Sequence, residues 1–213
     1  MLGGTDRPAP RLHAAHRLAS AYVRRAKTCV SMPVFYTIGH SNRAIGEFIR
    51  LLQDVHVKLL IDVRTIPKSR HNPQFNAAAL EASLNAASIA YKRIAELGGL
   101  RSAAKGQSRS VNAFWENESF HNYADYAATP SFRKGLEELL GLGRREACAI
   151  MCAEAVWWRC HRRIISDYLL AAGETVMHIM GEGKIEPAQM TPAAIVGADG
   201  IITYPGAQGQ LFV

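Results

Sequence analysis

The sequence predicts a single-domain, three-layer α/β fold with a mostly parallel sheet of about five strands flanked by helices. Short β-branched, apolar runs alternate with stretches whose apolar residues recur at helical spacing. That alternation implies βαβ crossovers, which cover both faces of a parallel sheet. Size agrees: 213 residues at 48% apolar content can bury one good core, and no repeat or second domain is visible over residues 32–213.

Val34-Phe-Tyr-Thr-Ile38 reads as the first strand. It stops at Gly39-His40-Ser41-Asn42, where Ser41 or Asn42 can cap a helix. Ile45, Phe48, Ile49, Leu52 and Val55 then fall on one helical face. Val57–Ile61 is the second strand and ends in Asp62-Val63-Arg64. Pro67 and Pro73 bracket a loop, and an Ala-rich helix follows Asn76 with Leu80 and Leu84 inward. Ile89–Ile94 reads as a third strand and runs into Leu97-Gly98-Gly99. Residues 99–118 form a long irregular loop, of the kind that is usually functional or disordered. Tyr123 and Tyr126 mark a helical turn or two. Thr129 is an N-cap and Pro130 a first helical residue, ahead of the stripe Phe132, Leu136, Leu139 and Leu140. Ala147–Met151 is a fourth strand, residues 160–172 a helix closing at Gly173, and Glu174–Ile179 a fifth strand. A short strand at Ile201–Tyr204 lies in the Gly- and Pro-rich tail.

Charge is unevenly placed. Residues 1–31 carry six basic side chains against Asp6 alone, +5 of the formal +7, while the body is nearly balanced. The head has no apolar core of secretory type and reads as a disordered extension, with Met32 a natural start. Its Arg- and Ala-rich make-up also suits a nucleic-acid arm or a transit peptide. No run of about 18 apolar residues is present, so a membrane span is not expected. Cys29, Cys148, Cys152 and Cys160 are irregularly spaced, which fits reduced thiols in a cytoplasm better than a disulfide framework.

Chemistry concentrates at the strand ends. His40, Asp62, Arg64, Cys152, Glu154 and His178 all stand at or just beyond a strand's carboxyl end, the edge where open parallel sheets bind ligands. Cys152 is the leading nucleophile, because Arg159, Arg162 and a helix start near Cys160 favour its thiolate. Cys148, deeper in the strand, reads as core. Cys160 and His161 can join Cys152 as ligands of zinc or iron, although C-x7-C-H matches no zinc-finger spacing. The helical register also suits a hydrogen-bonded interior role for His161. Arg162 reads as an anion clamp or as the partner of Glu154 or Asp62; Arg163 and Asp167 read as a surface pair. Gly39–Asn42 opens a helix whose backbone donors favour an anion. It lacks the glycine spacing of a dinucleotide fingerprint, and residues 98–106 lack a phosphate-binding loop motif. Arg101, Lys105 and Arg109 can grip phosphates, with Trp115 available for base stacking.

Taken in order, these segments resemble a known family. Tyr36-Thr-Ile-Gly-His40-Ser-Asn42, Asp62-Val-Arg64-x-x-Pro67-x-Ser69-Arg70, Leu97-Gly98-Gly99, Phe120-x-x-Tyr123-Ala-Asp125-Tyr126 and Met151-Cys152-Ala-Glu154 with Cys160-His161-Arg162 are similar to the bacterial and archaeal family of unknown function DUF488. The resemblance covers roughly residues 34–205. It implies a compact cytoplasmic α/β domain and adds Ser69 and Arg70 to the site residues, without an activity. Trp157 stands where relatives often have proline, and Ala188 where a histidine often follows proline.

The leading expectation is an enzyme acting on a small anionic, phosphate- or nucleotide-like substrate. Cys152, His40 and Asp62 would be catalytic, and Arg64, Ser69, Arg70, Glu154 and Arg162 would bind substrate. The alternatives are an iron or zinc protein using Cys152, Cys160 and His161, or a nucleic-acid module using residues 1–31 and 101–109.

Overall fold

The computed structural model describes residues 34–103 and 109–206. The basic head, Lys105 and the side chain of Arg109 lie outside the described residues. Six strands form the main sheet: β1 (Val34–Gly39), β2 (Leu59–Asp62), β3 (Ala90–Arg93), β4 (Cys148–Cys152), β5 (Thr175–Gly181) and β6 (Lys184–Pro187). Their spatial order is β3-β2-β4-β1-β5-β6; the first five run parallel, and β6 pairs antiparallel with β5. Among the described residues five α-helices accompany them: α1 (Ile45–Asp54), α2 (Ala77–Ala86), α3 (Glu118–Ala127), α4 (Pro130–Gly143) and α5 (Arg162–Ala171). A two-stranded ribbon joins β7 (Ile195–Val196) to β8 (Ile202–Thr203).

The strand order explains the layers. From β1 to β2 to β3 the chain steps one way along the sheet, and from β3 to β4 to β5 it steps back. Crossovers of one hand must then place α1 and α2 on one face and α3, α4 and α5 on the other. The core divides accordingly. Phe48, Leu52, Leu80 and Leu84 pack on Ile38, Leu60, Ala149 and Met151; Tyr123, Phe132, Leu139, Ile165 and Leu169 pack on Phe35, Ile61, Cys148, Ile150 and Cys152. Period-two alternation in β4 thus sends Cys148 and Cys152 to the α3–α5 face. Every residue of β2 and β4 is buried, as two-sided cover of a parallel sheet requires.

Local signals act as their chemistry dictates. Thr129 Oγ1 accepts from Phe132 N at 3.3 Å, and Pro130 opens α4. Gly173, at φ +82°, ends α5. Two expectations need correction. Neither Ser41 nor Asn42 caps α1: Ser41 takes a left-handed turn at φ +48° and Ala44 precedes the helix without a side-chain cap. Asp167 is no surface residue. It is fully buried, its Oδ1 accepting from Thr191 N at 2.8 Å and its Oδ2 from Tyr204 OH at 3.0 Å, which pins the tail to α5. Among the described residues no helix is long and apolar enough to cross a membrane.

Candidate active site

The carboxyl ends of β1, β4 and β2 lie side by side. Gly39 is opposite Cys152, and Asp62 is opposite Met151. The β1–β4 ladder continues past the strands, His40 N donating to Cys152 O and Ser41 N to Ala153 O, both at 3.0 Å. Gly39 touches the Glu154 carbonyl so closely that a Cβ there would collide with it. A cleft of about 460 Å³ opens at this edge, and His40, Arg64, Lys68, Ser69, Cys152, Glu154, Arg159, Cys160 and His161 are among its walls.

One wall is held by a charge network. Arg64 donates from Nε to Asp62 Oδ1 at 2.9 Å and from Nη2 to Oδ2 at 2.6 Å, while Tyr91 OH donates to Oδ2 at 2.8 Å. Asp62 is completely buried behind Arg64, so its carboxylate is committed to orienting that fork. His40 completes the wall. Its Nδ1 faces the Ser41 carbonyl at 2.7 Å and therefore carries the proton, leaving Nε2 to accept from Arg64 Nη1 at 3.3 Å. The ring stacks on Phe75 with centroids 4.3 Å apart. Burial, and then the Arg64 charge, hold His40 below its ordinary pKa, keeping it a neutral acceptor.

The floor holds two sulfurs. Cys152 Sγ and Cys160 Sγ are 2.6 Å apart, both nearly inaccessible yet part of the cleft wall. His161 donates from Nε2 to the Val63 carbonyl at 3.0 Å, so its Nδ1, 3.4 Å from Cys160 Sγ, is free to take the thiol proton. The amide of Arg162 at the start of α5 also points at Cys160 Sγ, at 3.5 Å. Beneath them lies the Arg162 side chain, 1% exposed, with Nη2 on the Glu154 carbonyl at 2.7 Å and Nη1 on Thr37 Oγ1 at 3.4 Å. Among the described residues it has no carboxylate partner. A desolvated guanidinium needs an anion, and the ionisable groups that act on it are the two thiols. Burial alone would raise Cys160, but the bond from Cys152 and the His161 and Arg162 charges bring it well below the thiol range. Cys152 moves well above that range, through burial and its bond to Cys160. These opposite directions make Cys160 the more acidic member of the pair. Sequence reading set the thiolate on Cys152; in the structure the α5 amide and His161 both address Cys160.

Of the other expected site residues, Ser69 lines the cleft and braces its loop, Oγ accepting from Asn72 N at 3.0 Å. Glu154 contributes an exposed side chain to the wall, whereas Arg70 is exposed and away from it, and Asp62 and Arg162 stand behind the surface. His178 packs below, bonded to Thr37 Oγ1 at 2.8 Å and stacked on Trp157 at 4.4 Å; burial and Arg162 lower its pKa to about 4. Cys148 is buried core, its thiol pushed up to about 12. Asn117, Ser119 and Phe120, from the start of α3, also form the cleft. They carried no chemical signal in sequence, because only the chain's return from the 99–118 loop brings them there.

The three expected metal ligands, Cys152, Cys160 and His161, all line the cleft. Among the described residues no group of three or more His, Cys, Asp or Glu stands in the arrangement of a metal site. Trp115, expected to be available for base stacking, is 6% exposed, stacked on Phe120 and covered by Arg163. Arg101 is spent on the carbonyls of Gly98, Ala95 and Glu96 and on the face of Tyr126.

Fold and cleft together define a three-layer α/β protein with a paired-thiol site at the carboxyl edge of a parallel sheet. A family model described as domain of unknown function DUF488 matches residues 44–169, from the residue before α1 to near the end of α5. The chain belongs to that family. The matched region includes Arg64 and the whole Cys152–Arg162 segment; His40 precedes it. No curated protein and no solved structure matches the chain.

Proposed function

We propose that this chain is an enzyme that uses the Cys152–Cys160 pair to act on a small anionic, phosphate- or nucleotide-like substrate in a reducing cytoplasm. The observation that supports this reading best is the buried Arg162, which among the described residues has two thiols and no carboxylate to balance it. A low thiol pKa beside a fixed cation is the condition for nucleophilic sulfur. Cys160 is the attacking thiolate, Cys152 the proton donor beside it, and His161 Nδ1 the group that takes or returns a proton. Arg64, fixed by Asp62 and His40, presents the rest of its fork to the substrate, with Lys68 and Arg159 on the same walls against the single carboxylate Glu154. Ser69 has a hydroxyl proton to donate.

The test is alkylation of the native full chain by iodoacetamide at neutral pH, with inorganic phosphate or pyrophosphate as competitor and peptide mapping as readout. Cys160 is modified first, the anions slow it, and Cys148 reacts only after denaturation. Equal, anion-insensitive rates at Cys160 and Cys148 would contradict the reading.

A further inference from the structure

The chemistry of this cleft is narrowed by its second sulfur. A thiol enzyme needs one nucleophile; here two sulfurs share the floor, 2.6 Å apart, about 0.6 Å beyond the length of a disulfide bond. They come from the end of β4 and the residue before His161, so the 153–159 loop closes on itself at this point. A third, Cys148, faces the same side of the sheet but is buried in the core and takes no part. The cleft wall is cationic at Arg64, Lys68 and Arg159, and Ile66 and Leu100 stand at the rim 60% and 68% exposed.

We propose that Cys152 and Cys160 are a dithiol–disulfide couple that reduces a small disulfide carrying carboxylate groups. The substrate class rests on the anion-binding reading of the cleft; the couple rests on the sulfur geometry alone. The Cys160 thiolate attacks one sulfur of the substrate, forming a Cys160–substrate mixed disulfide and expelling the first thiolate. Cys152 then gives up its proton to that thiolate and attacks Cys160 Sγ. The Cys152–Cys160 bond forms, the mixed disulfide breaks, and the second substrate half leaves as thiolate. Two electrons pass from the protein to the substrate, and a dithiol reductant returns the pair to its starting state. Arg162, under both sulfurs, stabilises the thiolate at the first step and sits beside the incoming negative charge throughout. His161 Nδ1 is positioned to hold the Cys160 proton when the site is fully reduced and protonated.

The test uses the full chain carrying Cys29→Ser, so that Cys148 is the only thiol outside the cleft. Three probes are compared: dithiobis(nitrobenzoate), which is anionic, bis(hydroxyethyl) disulfide, which is neutral, and cystamine, which is cationic. Each rate is divided by that of the same probe with free mercaptoethanol. The expected product has lost two hydrogens, with one peptide joining Cys152 to Cys160 and two thiols released per chain. Normalised rates should fall from anionic to cationic probe by about tenfold or more, and salt should narrow the difference. With Cys152→Ser, shown to be folded by circular dichroism, reaction should stop at a mixed disulfide on Cys160 with one thiol released. Failure of the parent chain to pass beyond a mixed disulfide, or failure to react, overturns the couple while leaving the anion-binding reading standing. An internal disulfide formed at equal normalised rates from all three probes overturns the substrate class, and the anion-binding reading with it.

Discussion

His178 shows how a residue outside the cleft wall can govern it. Arg162 donates to Thr37 Oγ1, so the Thr37 hydroxyl proton is directed to His178 Nδ1, and the imidazole must stay neutral to accept it. Burial and the Arg162 charge lower its folded pKa from 6.5 to about 4. Between those values the unfolded chain binds a proton that the folded chain does not. The contribution is therefore fully present above pH 6.5 and is lost as pH falls toward 4, on the order of 3 kcal/mol in all. Urea unfolding of the full chain should show this decline between pH 6.5 and 4, and His178→Gln should flatten it. An unchanged slope in the variant would mean that other groups set the acid sensitivity. His40, lowered in the same direction, adds to the fall with the same sign.

At the scale of elements, two glycines separate packing from propensity. Gly46 lies on α1 with open space where a Cβ would go, so Gly46→Ala should raise stability by about 0.5–1 kcal/mol. Gly39 ends β1 against the Glu154 carbonyl, so Gly39→Ala must push the 153–159 loop from the strand, lowering stability and slowing alkylation at Cys160. Denaturant titration of both variants checks the opposite signs; a neutral Gly39→Ala would show that the loop is not held there. Strands β1, β2, β4 and β5 and helices α1, α4 and α5 were legible in sequence because each is a run of one hydrophobic period long enough to stand out, whereas α3, read as a turn or two, spans Glu118–Ala127. β6 was not: Lys184-Ile-Glu-Pro187 is short and polar, and as an edge strand it tolerates a proline and exposes Ile185. The site's location was legible because strand ends of a parallel sheet converge. Its acid order was not, since that depends on where the α5 amide and the His161 ring point. Neither Arg162's isolation from carboxylates nor the claim of Arg64 on Asp62 could be read before β1, β2 and β4 were placed side by side.

On the scale of the whole molecule, reversal of the crossover direction after β3 sets β4 between β2 and β1, and that placement assembles the cleft from segments more than a hundred residues apart. The described residues that line the cleft run from His40 to His161. The head holds +5 of the charge and no periodic apolar stripe, so a chain beginning at Met32 should unfold at the temperature of the full chain; a loss of many degrees would give the head a structural role. In the function proposed above, the Cys160 thiol ionises ahead of Cys152 over the buried Arg162 cation. Titration of the ultraviolet thiolate band on the native full chain tests it most directly. One thiolate should form well below pH 9, in Cys148→Ala as in the parent chain, and be lost in Cys160→Ser. A band that stays absent until the pH approaches the ordinary thiol value of 9 would contradict it.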